Sequence, residues 1–170
     1  MFGYKYYKIT NILGNLGLDK NEDTFNFLVQ TPINELCGKL IELGFEYMPD
    51  KLFFDFIQYA TVFCHTKCGD CDDFANLFFR ILKAKMKTNP KIKIACLVAL
   101  NYGFMRGHAI CCYKYGINEW RYFTTNVIYG RNGEQIQVAR HVYGFSSLKE
   151  IIGRFKDTRK HIILEKYNNA

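Results

Sequence analysis

Proline is scarce in this chain, with three residues in 170. No stretch rich in proline, glycine or serine divides it, and no internal repeat or low-complexity tract appears. A single domain over residues 1–170 is therefore expected. No apolar run approaches the ~18 residues that a membrane-spanning helix needs, so a membrane is not an expected partner. The opening MFGYKYYKITNILGNLGLDK has no basic segment leading into a long apolar run, so no secretory signal is read there. Nucleic-acid recognition motifs are missing as well. Much of the formal charge of +7 comes from scattered residues such as Lys83, Lys85, Lys87, Lys91 and Lys93. These read as a solvated helix end and strand edge, and nucleic acid is not an expected partner.

What the chain does have is apolar and aromatic content: 49% hydrophobic and 16% aromatic residues against 23% charged. That balance excludes a disordered chain and is enough for a real core. The seven cysteines are an odd number, so at least one thiol stays outside any intramolecular disulfide. Without a secretory signal, they point to a reducing compartment, and a cytoplasmic location is expected. Cys37, Cys96, Cys111 and Cys112 sit in periodic apolar segments and read as small core residues.

Periodicity divides the chain into a helical part, residues 1–66, and a second part, residues 67–170, that holds one more long helix and then strands. Thr31 followed by Pro32 predicts a helix start. Ile33, Leu36, Cys37, Leu40 and Ile41 form its stripe, and Gly44 stops it. A helix is predicted from about Pro49 to Phe63, with Phe53, Phe56, Ile57 and Ala60 on one face. Another starts at about Cys71, carries Phe74, Leu77, Phe78, Ile81 and Leu82, and ends before TNP at Thr88–Pro90. Strands are predicted from Ile92 to Leu100, His108 to Tyr115, Trp120 to about Tyr129, Glu134 to about Arg140, and His161 to Lys166. Turns at Gly116–Asn118 and Arg131–Gly133 join them, and SLKE at Ser147–Glu150 opens a short helix. Helices first and hairpin-linked strands afterwards predict an α+β fold, N-terminal helices packed on an antiparallel sheet.

The chemistry concentrates in HTKCGDCDDFANLF, His65 to Phe78. Cys64, His65 and Cys68, with Cys71, are chemically competent zinc ligands, but the second ligand pair of a usual structural site is missing. A Cys68–Cys71 redox pair would need a strand before it, and that segment reads as a helix. Cys71 alone offers a third reading. It begins a helix, where unpaired backbone N–H groups carry partial positive charge, favour a thiolate and can hold an oxyanion. Gly69 allows a tight approach before it. A nucleophile also needs a base. His108, which follows Gly107 at the start of an apolar strand, is the best candidate. His65 lies too near Cys71 in sequence, and His141 and His161 lack that glycine.

GDCDDFA at Gly69–Ala75, followed by GHAICCYKY and EWRYFTTN, resembles the transglutaminase-like cysteine peptidase superfamily, whose core is related to that of papain. The similarity is strongest to the bacterial-type branch and covers about Lys67 to Asn126. It implies a papain/transglutaminase-like core and a cysteine-dependent acyl-transfer enzyme. Hydrolysis of a protein or peptide amide through a thioester is the default, with protein-glutamine transglutamination or deamidation, or an inactive binding module, as alternatives. The family places an Asp on the strand after the His, often four residues beyond an aromatic; four beyond Trp120 is Thr124. If a three-residue turn pairs Tyr115 with Glu119, then His108 pairs with Asn126. The expected site is therefore Cys71, His108 and Asn126, with Thr124 as the alternative third member. No cofactor is required. The resemblance also allows calcium at Asp70 and Asp72, whose negative charge otherwise opposes a thiolate.

Overall fold

The computed structural model describes residues 19–49, 57–103, 106–156 and 158–169. Two helices, α1 (Glu22–Gln30) and α2 (Leu36–Glu42), open the described chain. Asn21 caps α1 by accepting from the Thr24 N–H at 2.8 Å. Thr31 does not start a helix, as its Thr-Pro context predicted. It ends α1, its hydroxyl donating back to the Phe27 carbonyl at 3.0 Å. The reason is local: Pro32 begins a turn closed by Glu35 N–H to its carbonyl at 3.0 Å, and only then does α2 form. Leu36 and Leu40 are its buried stripe, and Gly44 stops it at φ +78°.

Of the helix predicted from Pro49 to Phe63, residues 50–56 lie outside the described residues; in the described part, α3 runs over Ala60–Thr66. Phe53 and Phe56 lie outside the described residues. Tyr59 is extended, at φ −61° and ψ 145°. Gln58 is held out of a helical ladder because both its peptide groups bond elsewhere. Its N–H donates to Asp73 Oδ1 at 2.7 Å, and its carbonyl accepts from Asn76 Nδ2 at 2.7 Å.

Two short strands, β1 (Glu46–Tyr47) and β2 (Cys68–Gly69), pair in parallel. The long helix α4 (Cys71–Lys85) follows directly. Its predicted stripe is buried, and so are Ala75, Asn76 and Phe79, because helices cover the side turned away from the sheet. Beneath it lies a five-stranded antiparallel sheet in the order β6-β5-β4-β3-β7. The strands are β3 (Ile92–Gly103), β4 (Arg106–Tyr115), β5 (Glu119–Tyr129), β6 (Gln135–Phe145) and β7 (Lys160–Asn168). β6 runs five residues past the predicted Arg140, because β5 pairs with it as far as Trp120↔Phe145. The last helix, α5 (Leu148–Gly153), starts at Ser147, whose Oγ accepts from the Glu150 N–H at 3.2 Å.

Alternation along β4 separates two cores. Ala109, Cys111 and Tyr113 join Phe74, Phe78 and Phe123 on the α4 side, whereas Ile110 and Cys112 join Val98, Tyr122 and Ile151 on the α5 side. The Phe78 and Phe123 rings stack at 4.2 Å and tie α4 to the sheet. Truncating either would cost about 3–5 kcal/mol. The architecture is α+β, helices packed on an antiparallel sheet. Among the described residues no helix is long and apolar enough to cross a membrane.

Candidate active site

The start of α4 is held from three directions. Asp70 is the N-cap; its Oδ1 accepts from the Asp72 N–H at 3.2 Å, while Asp73 Oδ2 accepts from the Asp70 N–H at 3.3 Å. Asp73 is 3% exposed and takes two further hydrogen bonds from Gln58, 2.7 Å from its N–H and 2.9 Å from its Nε2. Burial pushes its carboxyl up to about 7 despite these donors. Gly69 is required because a Cβ there would lie 2.2 Å from Asp73 Oδ2. The glycine therefore admits a carboxylate of its own chain. On the other flank, Glu46 N–H donates to the Lys67 carbonyl and Met48 N–H to the Gly69 carbonyl, both at 2.8 Å, joining β1 to the approach to the helix.

Cys71 occupies the first helical position and packs half-buried against the α4-side core. Here the dipole of a 15-residue helix acts on the thiol. Five of the other thiols have raised pKa values. Burial raises Cys37 and Cys64 to about 12 and Cys96 to about 11, and holds Cys111 and Cys112 well above the ordinary range. None of the seven cysteines is in a disulfide.

His108 lies near the start of β4. Its Nε2 is 2.6 Å from Thr124 Oγ1, and its ring is 5.9 Å from that of Phe155. Alternation sets it on the side of Ile110 and Cys112, while Ala109 turns toward α4. Burial lowers its pKa, and the Asp70 carboxylate opposes that shift. The link between this ring and the helix start is thus electrostatic, through the N-cap residue of α4.

Asn126 is not the residue beside His108. The expected register does form, Tyr115 facing Glu119, but the β4–β5 ladder ends at Cys111↔Phe123. Past that point the diagonal neighbour Thr124, two residues before Asn126, meets the imidazole. Asn126 is exposed, its carbonyl accepting from Gln137 Nε2 at 3.1 Å. The zinc alternative is not assembled either. Cys64 is buried within α3, and His65, its neighbour on the helix, faces Asp19 at 3.8 Å. Among the described residues, the group whose ligand atoms lie within 4.8 Å of one another is Asp70, Asp72 and Asp73.

Two participants escaped the sequence reading. Gln58 was expected inside a helix, yet its amide also donates to the Cys68 carbonyl at 3.1 Å, bracing the loop before Cys71. Tyr47 carried no periodic signal, yet β1 sets it opposite Gly69. Its pairing with a distant segment could not be read from spacing. A cleft of about 640 Å³ lies at the far end of α4, lined by residues that include Lys85, Arg121 and His141. No cysteine is among the residues that line it.

No family model matches the chain, and no curated protein matches it. Among solved structures it is similar to calcium-bound LapG of Legionella pneumophila, with a TM-score of 0.39 and 15% identity, over 78% of this chain and 86% of that one.

Proposed function

We propose that the chain is a cysteine-dependent acyl-transfer enzyme, a transglutaminase-like peptidase or amidase acting on a protein or peptide amide. The observation that carries this is Cys71 at the head of α4, with the adjacent Asp70 carboxylate acting on a His108 ring that bonds Thr124. In this reaction His108 accepts the Cys71 proton and the thiolate adds to the amide carbonyl. The Cys71 backbone N–H steadies the oxyanion. His108 then protonates the nitrogen as the C–N bond breaks, leaving a thioester. Water adds to the thioester, His108 takes its proton, and the acid leaves as the thiol is restored. An amine in place of water would give transamidation. Thr124 holds the imidazole orientation in place of the acid that the superfamily uses.

A hard cation fits part of this site, since Asp70, Asp72 and Asp73 are all oxygen donors within 4.8 Å. Both oxygens of Asp73 already accept hydrogen bonds. Asp70 and Asp72 would therefore hold calcium, which would offset the carboxylate charge opposing the thiolate. A reducing, cytoplasmic setting is proposed from the cysteine content of the sequence.

A second reading, a non-catalytic binding module, is favoured by the Thr124 substitution and by the alternation that turns His108 toward the α5 side. Iodoacetamide labelling at neutral pH separates the two. The enzyme reading requires Cys71 to react far faster than the other six thiols and His108→Gln to slow it; uniform reactivity would sink it.

A further inference from the structure

We infer that Tyr47 is a further catalytic residue of the proposed reaction, its hydroxyl donating a hydrogen bond to the substrate oxygen as that oxygen becomes an oxyanion. This rests on the acyl-transfer reading of Cys71.

Tyr47 is one residue of a two-residue strand, too short to hold its own position. Two external attachments fix it. Parallel pairing sets Tyr47 opposite Gly69, two residues before the nucleophile. The side-chain amide of Gln135, at the start of β6, then grips the Tyr47 peptide at both ends. Its Oε1 accepts from the Tyr47 N–H at 2.7 Å, and its Nε2 donates to the Tyr47 carbonyl at 2.8 Å. The clamp joins residues 88 apart in sequence and leaves the side chain with little freedom of position.

The side chain itself points to the same place. Tyr47 and Cys71 both pack, half-buried, against the α4-side core. After burial, the charges that act on its phenol are those of Cys71, Asp70, Asp72 and Tyr129, in that order. A phenol keeps its proton at neutral pH, so the hydroxyl is a donor there. Among the described residues that hydroxyl has no hydrogen-bond partner. A donor of this kind beside the Cys71 N–H would give a developing oxyanion two hydrogen bonds from fixed positions. Negative charge crowds this end of α4, and a neutral donor can meet an oxyanion there without forming an ion pair with Asp70 or Asp72. The hydroxyl undergoes no covalent change, and its proton stays on the tyrosine throughout.

The test compares two reactions of the same thiol. Acylation by p-nitrophenyl acetate passes through an oxyanion, whereas alkylation by iodoacetamide displaces iodide and forms none. Both are followed on the full chain, with Cys71→Ala subtracted as background. Tyr47→Phe keeps the ring packing and removes only the hydroxyl. The expected result is a fall in acylation rate of about 10²–10³-fold, the loss typical of one oxyanion donor, with alkylation within about threefold of the unaltered chain. Gln135→Ala, which frees the clamp, should lower acylation in the same direction and leave alkylation unchanged. Equal losses in both reactions for Tyr47→Phe would assign Tyr47 to thiol activation or to structure and overturn the inference. An unchanged acylation rate, with Cys71 still selectively alkylated, overturns it alone. Failure of the unaltered chain to alkylate selectively at Cys71 overturns the acyl-transfer reading and this inference with it.

Discussion

His108 on β4 and His141 on β6 look alike at first. Each has a ring nitrogen against a hydroxyl, His108 Nε2 to Thr124 at 2.6 Å and His141 Nε2 to Tyr113 at 2.8 Å. Burial lowers the pKa of both. Their charged neighbours separate them. Asp70 acts on His108 and favours its protonated form, whereas Arg121 acts on His141 and, together with burial, takes it down to about 4. His141 is also stacked on Phe123 at 4.3 Å, and its Nδ1 is buried without a hydrogen-bond partner among the described residues. It is a partly buried side chain that resists a proton. His108 has an acid, Asp70, at the N-cap of α4 to receive the charge. Burial alone does not separate the two histidines; the charges that act on them do.

The largest expected effect tests the nucleophile on which this contrast depends. Cys71→Ala should abolish selective alkylation and lower ester acylation at least about 10³-fold. Next come the two histidines themselves. His108→Gln should lower acylation about 10²–10⁴-fold with little change in thermal stability. His141→Gln should do the reverse, costing about 1–3 kcal/mol in urea unfolding while acylation per folded molecule stays within twofold. A common response from the two variants would break the comparison.

Acid stability reads the same difference. Above its ordinary 6.5, His141 is neutral in folded and unfolded chains alike. As pH falls from 6.5 to about 4, the unfolded chain takes the proton and the folded one does not, so stability drops. The loss amounts to about 3 kcal/mol and is complete below the folded value. Denaturant melts across that window should show the slope, and His141→Phe should flatten it. For His108 the analogous readout is the acid limb of the acylation rate. Asp70→Asn removes the charge that favours protonation, so that limb should move to lower pH; an unmoved limb would break the electrostatic link between ring and helix.

The smallest effect concerns the third position. Thr124→Val should slow acylation about tenfold, or about 1.4 kcal/mol, while Asn126→Ala should leave it within twofold. The opposite ranking would return the role to Asn126.

Much of the secondary structure was legible because its signals are local. The α4 stripe, the glycine stops at Gly44 and Gly133 and the capping serine at Ser147 each depend on residues within one turn of one another. Thr31 misled because Thr-Pro serves the end of one helix as readily as the start of the next. Gln58 misled because its backbone partners, Asp73 and Asn76, lie at least 15 residues away. Asn126 was inferred by extending a correct register past the point where the strands stop pairing. Parity still held, which is why the alternative, Thr124, stood on the same face.

By itself the sequence determined that a thiol heads an amphipathic helix and that a histidine opens a strand of the sheet that follows. Those properties come from side-chain spacing and from the field of a helix end, which need no distant partner. Tertiary structure alone decided which hydroxyl meets His108, which acid biases its charge, why Gly69 must be a glycine, and that Tyr47 sits beside the start of α4. Each of these is a contact or field between segments that no spacing rule connects. Each depends on where a ladder ends or on which amide, here that of Gln58 or Gln135, locks two distant strands together.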